Sequence, residues 1–129
     1  MILNDSQIVD CLPLPIVVLK ANAPLYTIIR VNSRYLEITN KTAEDLLGKS
    51  LFDVFPNVNG NLSDIINIAE KAIKTKKIQL APVLRYDING EERYWSLEYV
   101  PLITDGIVTS IIQYTQDITP LIKLGMPIK

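Results

Sequence analysis

Asp53, Asp64, Ser96, Glu98 and Asp117 carry side chains that acid–base or nucleophilic chemistry would need. Their spacing supports none of it. None pairs with a nucleophile or falls at a metal-ligand interval, and each reads as a cap or a surface residue. Histidine is absent. That excludes a histidine general base, a Ser-His-Asp or Cys-His triad, a His-ligated zinc and a His-ligated haem. It also leaves the chain without a phospho-accepting histidine of its own. The single cysteine, Cys11, has no Lys, Arg or His close in sequence to lower its pKa, so it reads as a small packed or half-exposed residue rather than a reactive thiol. The domain itself is therefore expected not to be an enzyme.

Partners are bounded in the same way. The net charge is −1, and the densest cationic group, Lys74, Lys76 and Lys77, reads as a solvated helix end. No basic face is available for nucleic acid. The longest apolar run is too short to span a bilayer and no signal-peptide pattern opens the chain, so no direct membrane contact is expected. A lone cysteine fits a reducing, cytoplasmic compartment. At 129 residues and 48% hydrophobic content, the chain suits one globular domain.

The elements that must position any site follow from periodicity. Residues 1–12 read as a short helix capped by Asn4 or Asp5, with Ile8, Val9 and Leu12 on one face and Pro13 and Pro15 ending it. Residues 16–20 form a strand apolar on both sides, Val17 and Leu19 on one and Ile16 and Val18 on the other. Such a strand is central and covered twice. Residues 21–24 turn the chain, and 25–31 form the hairpin mate. Asn32 ends that strand and can cap the next helix through the amide of Arg34 or Tyr35. Thr42 to Asp45 is a capping pattern that starts another turn, and Gly48 allows a left-handed C-cap. Residues 51–55 make a further short turn. The longest helix, residues 62–76, repeats apolar residues at three and four.

Three strands follow. Residues 78–87 contain Pro82, which cannot donate to a ladder, so this is an edge. Asn89-Gly90 is a two-residue hairpin turn leading to 93–102, with Trp95, Leu97 and Tyr99 on one face. Thr104-Asp105-Gly106 turns the chain into 107–116, apolar on both faces in its first half. The two strands apolar on both sides must be central neighbours. The result is an α+β domain: a five-stranded antiparallel sheet in the order 2-1-5-4-3, with short helices and one longer helix on one face.

Asn32 at the strand–helix junction, residues 35–39 (YLEIT), residues 43–48 (AEDLLG), the Asn-Gly hairpin, Trp95, Pro101, Asp105-Gly106 and the closing Asp117-Ile118-Thr119 occur here in one order over residues 15–119. In that order they resemble the PAS sensor domains, as found in bacterial two-component sensor histidine kinases. The resemblance implies a fold with the sheet order derived above. It implies a sensory, signal-transduction module, and divides the chain into an N-terminal capping helix (1–14), the PAS domain (15–119) and the start of a linker or signalling helix (120–129). Asn32, Gly48 and Asp117 are its structural motif positions. Pro120 suits the first turn of an exit helix, where its missing N–H costs nothing.

In PAS domains the cavity lies between the inner sheet face and the short helices. Matching by motif makes Val17, Leu19, Tyr35, Phe55, Leu97, Tyr99, Ile112 and Tyr114 the candidate lining. A domain of this size also needs that much apolar bulk simply to fill its core. A small apolar or aromatic ligand, or a fatty-acid-like chain, would suit the lining, and a cavity of at least a few hundred cubic ångströms would be its signature. Ile16 and Val18, with Ile8 and Val9, are the candidate surface for a homodimer.

The cofactor-binding branches of the family set further expectations. Flavin-binding light sensors resemble residues 36–39 and 47–48, but their adduct cysteine falls at Leu51, and the polar flavin-binding residues after it are missing. The haem-binding branch uses a histidine. The branch with a thioester-linked chromophore needs a cysteine late in the helical insert, far from Cys11. No cofactor is expected. The favoured reading is a fragment of a sensor histidine kinase with its output domain in cis, binding a small apolar ligand or mediating dimerisation. The alternative is a non-sensing dimerisation spacer of a transcription regulator or cyclase.

Overall fold

A computed structural model describes residues 11–55, 62–81, 83–85, 87 and 90–125. Ile8, Val9, Asn89 and most of the expected first helix lie outside the described residues. The strands are β1 (Ile16–Lys20), β2 (Ile28–Val31), β3 (Gln79–Leu80), β4 (Leu84–Arg85), β5 (Tyr94–Thr104) and β6 (Ile107–Asp117). The helices are α1 (Ser33–Thr39), α2 (Ala43–Leu46), α3 (Leu51–Val54), α4 (Leu62–Thr75) and α5 (Thr119–Lys123).

The sheet runs β2-β1-β6-β5-β3, with β4 also paired to β5. The one edge strand expected over residues 78–87 is thus two short strands on the same neighbour, making six strands in the expected order. The sequence between them contains Pro82, whose missing N–H cannot join a ladder. β1 is central, and Ile16, Val17, Val18 and Leu19 are all buried.

Val17, Leu19, Leu97, Tyr99 and Ile111 on the sheet pack against Tyr35, Leu46, Leu51, Ile65, Ala69 and Ala72 from the helices in one core. On the opposite face Ile16 and Val18 form a second cluster with Leu12, Ile112 and Tyr114. Apolar residues on both sides of β1 are required by this double cover.

Asn32 ties the two halves together. Its φ of −102° and ψ of 169° are extended, as an N-cap requires, and its Oδ1 accepts from the Tyr35 amide at 3.0 Å. The same oxygen accepts from the Ile16 amide at 3.0 Å, and Nδ2 donates to the Leu14 carbonyl at 2.7 Å. The side chain is fully buried. At α2, Thr42 Oγ1 accepts from the Asp45 amide at 3.2 Å while the Asp45 carboxylate accepts from the Thr42 amide at 2.9 Å, a reciprocal capping box.

Gly48, at φ +81°, turns the chain back along β2. Its amide donates to the Ile28 carbonyl at 2.9 Å, and the Ile28 amide donates to the Lys49 carbonyl at 2.8 Å. This segment covers the free edge of β2.

A bulge decides which face of β6 looks inward. Asp105 (φ 51°) and Gly106 (φ 79°) form the two-residue turn, and Thr104 pairs with Ile107 and Ile103 with Val108. Beyond that the register shifts, so Leu102 pairs with Ser110 and Thr109 is the extra residue. Without the bulge, Tyr99 would face Ile112 and Leu97 would face Tyr114. With it, Tyr99 pairs with Gln113 and Leu97 with Thr115.

Candidate functional site

A cavity of about 70 Å³ lies between the inner face of β5–β6 and the short helices. α1 contributes Tyr35, Ile38 and Thr39, α3 contributes Leu51 and Phe52, and Phe55 follows. α4 contributes Ile65, and the sheet contributes Leu84, Trp95, Leu97, Tyr99, Gln113 and Thr115. The Tyr35 and Phe55 rings meet edge to face at 6.4 Å, and the Lys41 ammonium lies 5.7 Å from the Phe55 centroid. No Asp, Glu, Lys or Arg is among these lining residues.

Of the eight residues expected in the lining, Tyr35, Phe55, Leu97 and Tyr99 are there. Val17 and Leu19 belong to the same core but are not among the lining residues. Ile112 and Tyr114 are on the opposite face, against Ile16 and Val18, because the Thr109 bulge reverses β6. Gln113 and Thr115 take their place, a polar pair in which Gln113 Nε2 donates to Thr115 Oγ1 at 3.2 Å. Periodicity pointed the other way: residues 112–115 alternate apolar and polar, which argues for Ile112 and Tyr114 inward, whereas the inward pair is the polar one. Leu51, singled out for its position after Gly48, does line the cavity and is 4% exposed.

The volume is a correction. A few hundred cubic ångströms would be needed for a drug-sized ligand. At about 70 Å³ the space falls well short of that. Phe52, Phe55, Trp95 and the tyrosines fill the rest. Ile16 and Val18, expected at a dimer surface, are buried within the single chain.

Two hydroxyls stand out electrically. Tyr26 and Tyr99 are fully buried, and neither hydroxyl has a hydrogen-bond partner among the described residues. Burial raises the Tyr99 phenol far above its usual range, with Tyr35 and Tyr26 adding to the effect. Tyr26 is raised by burial and by Glu70. Both are held as neutral donors.

The exit from the sheet is anchored at Asp117. Its Oδ2 accepts from Arg93 Nη1 at 2.8 Å and its Oδ1 from the Thr119 amide at 2.9 Å. Thr119, 2% exposed, accepts the Tyr94 amide at 2.8 Å through Oγ1. The Ile118 amide donates to the Tyr94 carbonyl at 2.9 Å. α5 then starts with Pro120 in its first turn. Among the described residues no cluster of His, Cys, Asp or Glu could hold a metal ion, and no helix is long and apolar enough to cross a membrane.

Known proteins share this fold. An RNA-binding light-oxygen-voltage receptor superposes with a TM-score of 0.76 at 19% identity, over 93% of this chain and 33% of its own. The Rhodobacter sphaeroides LOV protein does so at 0.73 and 17%, over 88% of this chain and 64% of its own. The chain thus spans a third of the first protein and under two thirds of the second. A sensory box sensor histidine kinase from Vibrio cholerae gives 0.63 at 17%, over 88% of both chains. At such identities these likenesses show the fold alone. No curated protein matches the chain. The family described as the PAS fold matches residues 9–122, from before β1 into α5. With the sheet order, the Asn32 junction and the Asp117 exit all inside that span, the chain belongs to the PAS fold family.

Proposed function

We propose that this PAS domain is the sensory and relay module of a larger signalling protein, a sensor histidine kinase by preference, with its output domain in cis beyond Asp117. The observation that carries the reading is the pairing of Trp95 with Asp117 across β5 and β6. Trp95 is part of the cavity wall, and Asp117 holds the exit. Thr115, two residues earlier on the same strand, also lines the cavity. A repacking of the wall therefore reaches the exit through one strand pair, with no loop between to absorb it. The likeness to the Vibrio cholerae sensory box sensor histidine kinase supports the choice of output class.

The input is a small molecule in the cavity. A flavin is not part of the proposal: a ligand of that class needs roughly 300 Å³ or more, against a cavity of about 70 Å³, and Leu51 stands where the resemblance puts the light sensors' adduct cysteine. The module is proposed to work without a cofactor, in the cytoplasm and as a homodimer.

Nuclear magnetic resonance of the labelled domain tests the relay. Thr115→Val should shift the amides of Ile118 to Lys123 as well as those of the cavity wall. Shifts that stop at Asp117 would sink the relay.

A second reading is favoured by the cavity volume of about 70 Å³: a non-sensing dimerisation spacer of a transcription regulator or cyclase. Native mass spectrometry separates the two. A retained small molecule supports sensing, whereas an empty dimer supports the spacer.

A further inference from the structure

We infer that the free edge of β3 is a docking site for an extended acidic segment of another protein, one that alternates apolar residues with carboxylates and adds to the sheet as a further strand. The site is independent of the cavity and of whether anything fills it.

β3 ends the sheet, and no described strand pairs with its outer side. The Ala81 amide donates to the Leu97 carbonyl at 3.0 Å, so residue 81 turns its backbone polar groups toward β5. In an antiparallel ladder alternate residues do this. Leu80, and Ile78 before it, therefore turn theirs to the open edge. Their side chains are open as well: Ile78 is 56% exposed and Leu80 68%. Open backbone groups beside bare hydrocarbon are what an added strand pairs with and covers.

The charge beside this edge selects the partner. Lys71, Lys74, Lys76 and Lys77 fall in a stretch, residues 71–77, that holds no acid, in a chain whose net charge is −1. All four are exposed, and none forms an ion pair with another described residue. Gln79 Nε2 donates to Thr75 Oγ1 at 3.2 Å, and Thr75 Oγ1 donates to the Lys71 carbonyl at 2.8 Å. Residues four apart share a helix face, so Lys71 stands on the face of α4 that meets β3. Gln79 thus points to the α4 side of the sheet, and its neighbours Ile78 and Leu80 to the other. An added strand follows the same alternation. Its side chains reach the lysines on one side and extend the apolar pair on the other.

Lysines on an edge oppose pairing with a second copy of this chain, which brings the same charges. They favour a strand that carries carboxylates on the side facing α4. An anionic membrane would meet the lysines but forms no ladder with the backbone of the edge.

Amide shift titration of the labelled domain tests this with an end-blocked peptide that alternates valine and glutamate. Its controls are the valine–lysine counterpart, the valine–glutamate peptide N-methylated at every residue, and vesicles containing phosphatidylserine. The expected result is saturable shifts at Ile78, Gln79, Leu80 and Ala81, with slower hydrogen exchange at the Ile78 and Leu80 amides. The affinity should exceed that of either control peptide by about tenfold or more. Lys71→Glu combined with Lys74→Glu should weaken binding by about tenfold. Both side chains are exposed, and circular dichroism checks the fold. If the valine–lysine peptide binds as well, charge does not select the partner and the proposal is overturned. If the N-methylated peptide binds as well, no strand is added, with the same consequence. Vesicles that shift these residues where the peptide does not would make the surface a membrane contact instead. Shifts at residues 78–81 that grow with domain concentration alone would make the occupant a second copy. No shift there with any probe would leave the edge merely blunted by its lysines and end the proposal.

Discussion

Asn32 and Ile16 are joined twice: the Ile16 amide donates to Asn32 Oδ1 at 3.0 Å, and the Asn32 amide donates to the Ile16 carbonyl at 3.2 Å. This pair of hydrogen bonds docks the end of β2 and the start of α1 onto the start of the central strand. The side-chain amide of Asn32 then reaches back to the Leu14 carbonyl. Asn32→Ala should cost about 2–4 kcal/mol, since it strands buried donors and an acceptor as well as removing a helix cap. Urea denaturation measures it. A loss below about 0.5 kcal/mol, the range of neutral surface changes, would contradict this account.

Thr119 and Tyr94 form the corresponding joint at the exit. Thr119→Val keeps the shape but leaves the Tyr94 amide without its acceptor. The expected cost is about 1–3 kcal/mol. Hydrogen exchange should show faster opening at Tyr94 and through α5, with β1 little changed.

Gly48 has φ +81° and open space around its missing Cβ. Gly48→Ala therefore tests backbone conformation without steric clash. A loss of about 1 kcal/mol is expected from the left-handed backbone alone. Thermal unfolding with an unchanged native spectrum would confirm it.

Tyr99 sets an alkaline limit. The folded chain keeps its phenol protonated beyond the ordinary value of 10.0, whereas the unfolded chain releases that proton. Stability from this group is intact below pH 10.0 and declines as pH rises above it. Tyr99→Phe should unfold at a higher pH than the parent domain, as followed by circular dichroism.

Asp45 acts at the acid end. The Thr42 backbone amide, then its side chain, and the Lys41 and Lys49 charges hold the Asp45 carboxyl below its usual 3.8. Its contribution is present above pH 3.8 and lost as pH falls through the lowered folded value. Asp45→Asn should flatten the acid limb of the unfolding profile, and an unchanged limb would count against the capping box.

Much of this architecture is local and was legible in residue order. β1 falls on residues 16–20 because both of its faces are apolar, and that alone makes it central. Thr42 and Asp45 cap each other as their spacing requires. The long helix repeats its apolar residues at three and four and ends at Thr75, one residue short of expectation. Asn32 as a helix cap was readable, but its bonds to Ile16 and Leu14 were not, since they join residues sixteen and eighteen apart.

The composition and spacing of the chain determined by themselves the sheet order, the absence of histidine chemistry and the hydrocarbon at Leu51. Only the tertiary structure decided what the cavity wall is. One extra residue at Thr109 exchanges Ile112 and Tyr114 for Gln113 and Thr115 opposite Tyr99 and Leu97. Side chains alternate with a period of two, so a single bulge reverses every position beyond it. The alternation over residues 112–115 argues for Ile112 and Tyr114 on the inner face, so the pattern itself conceals the reversal. The volume of the void is equally beyond periodicity, because it is the small remainder left after the aromatic rings have packed.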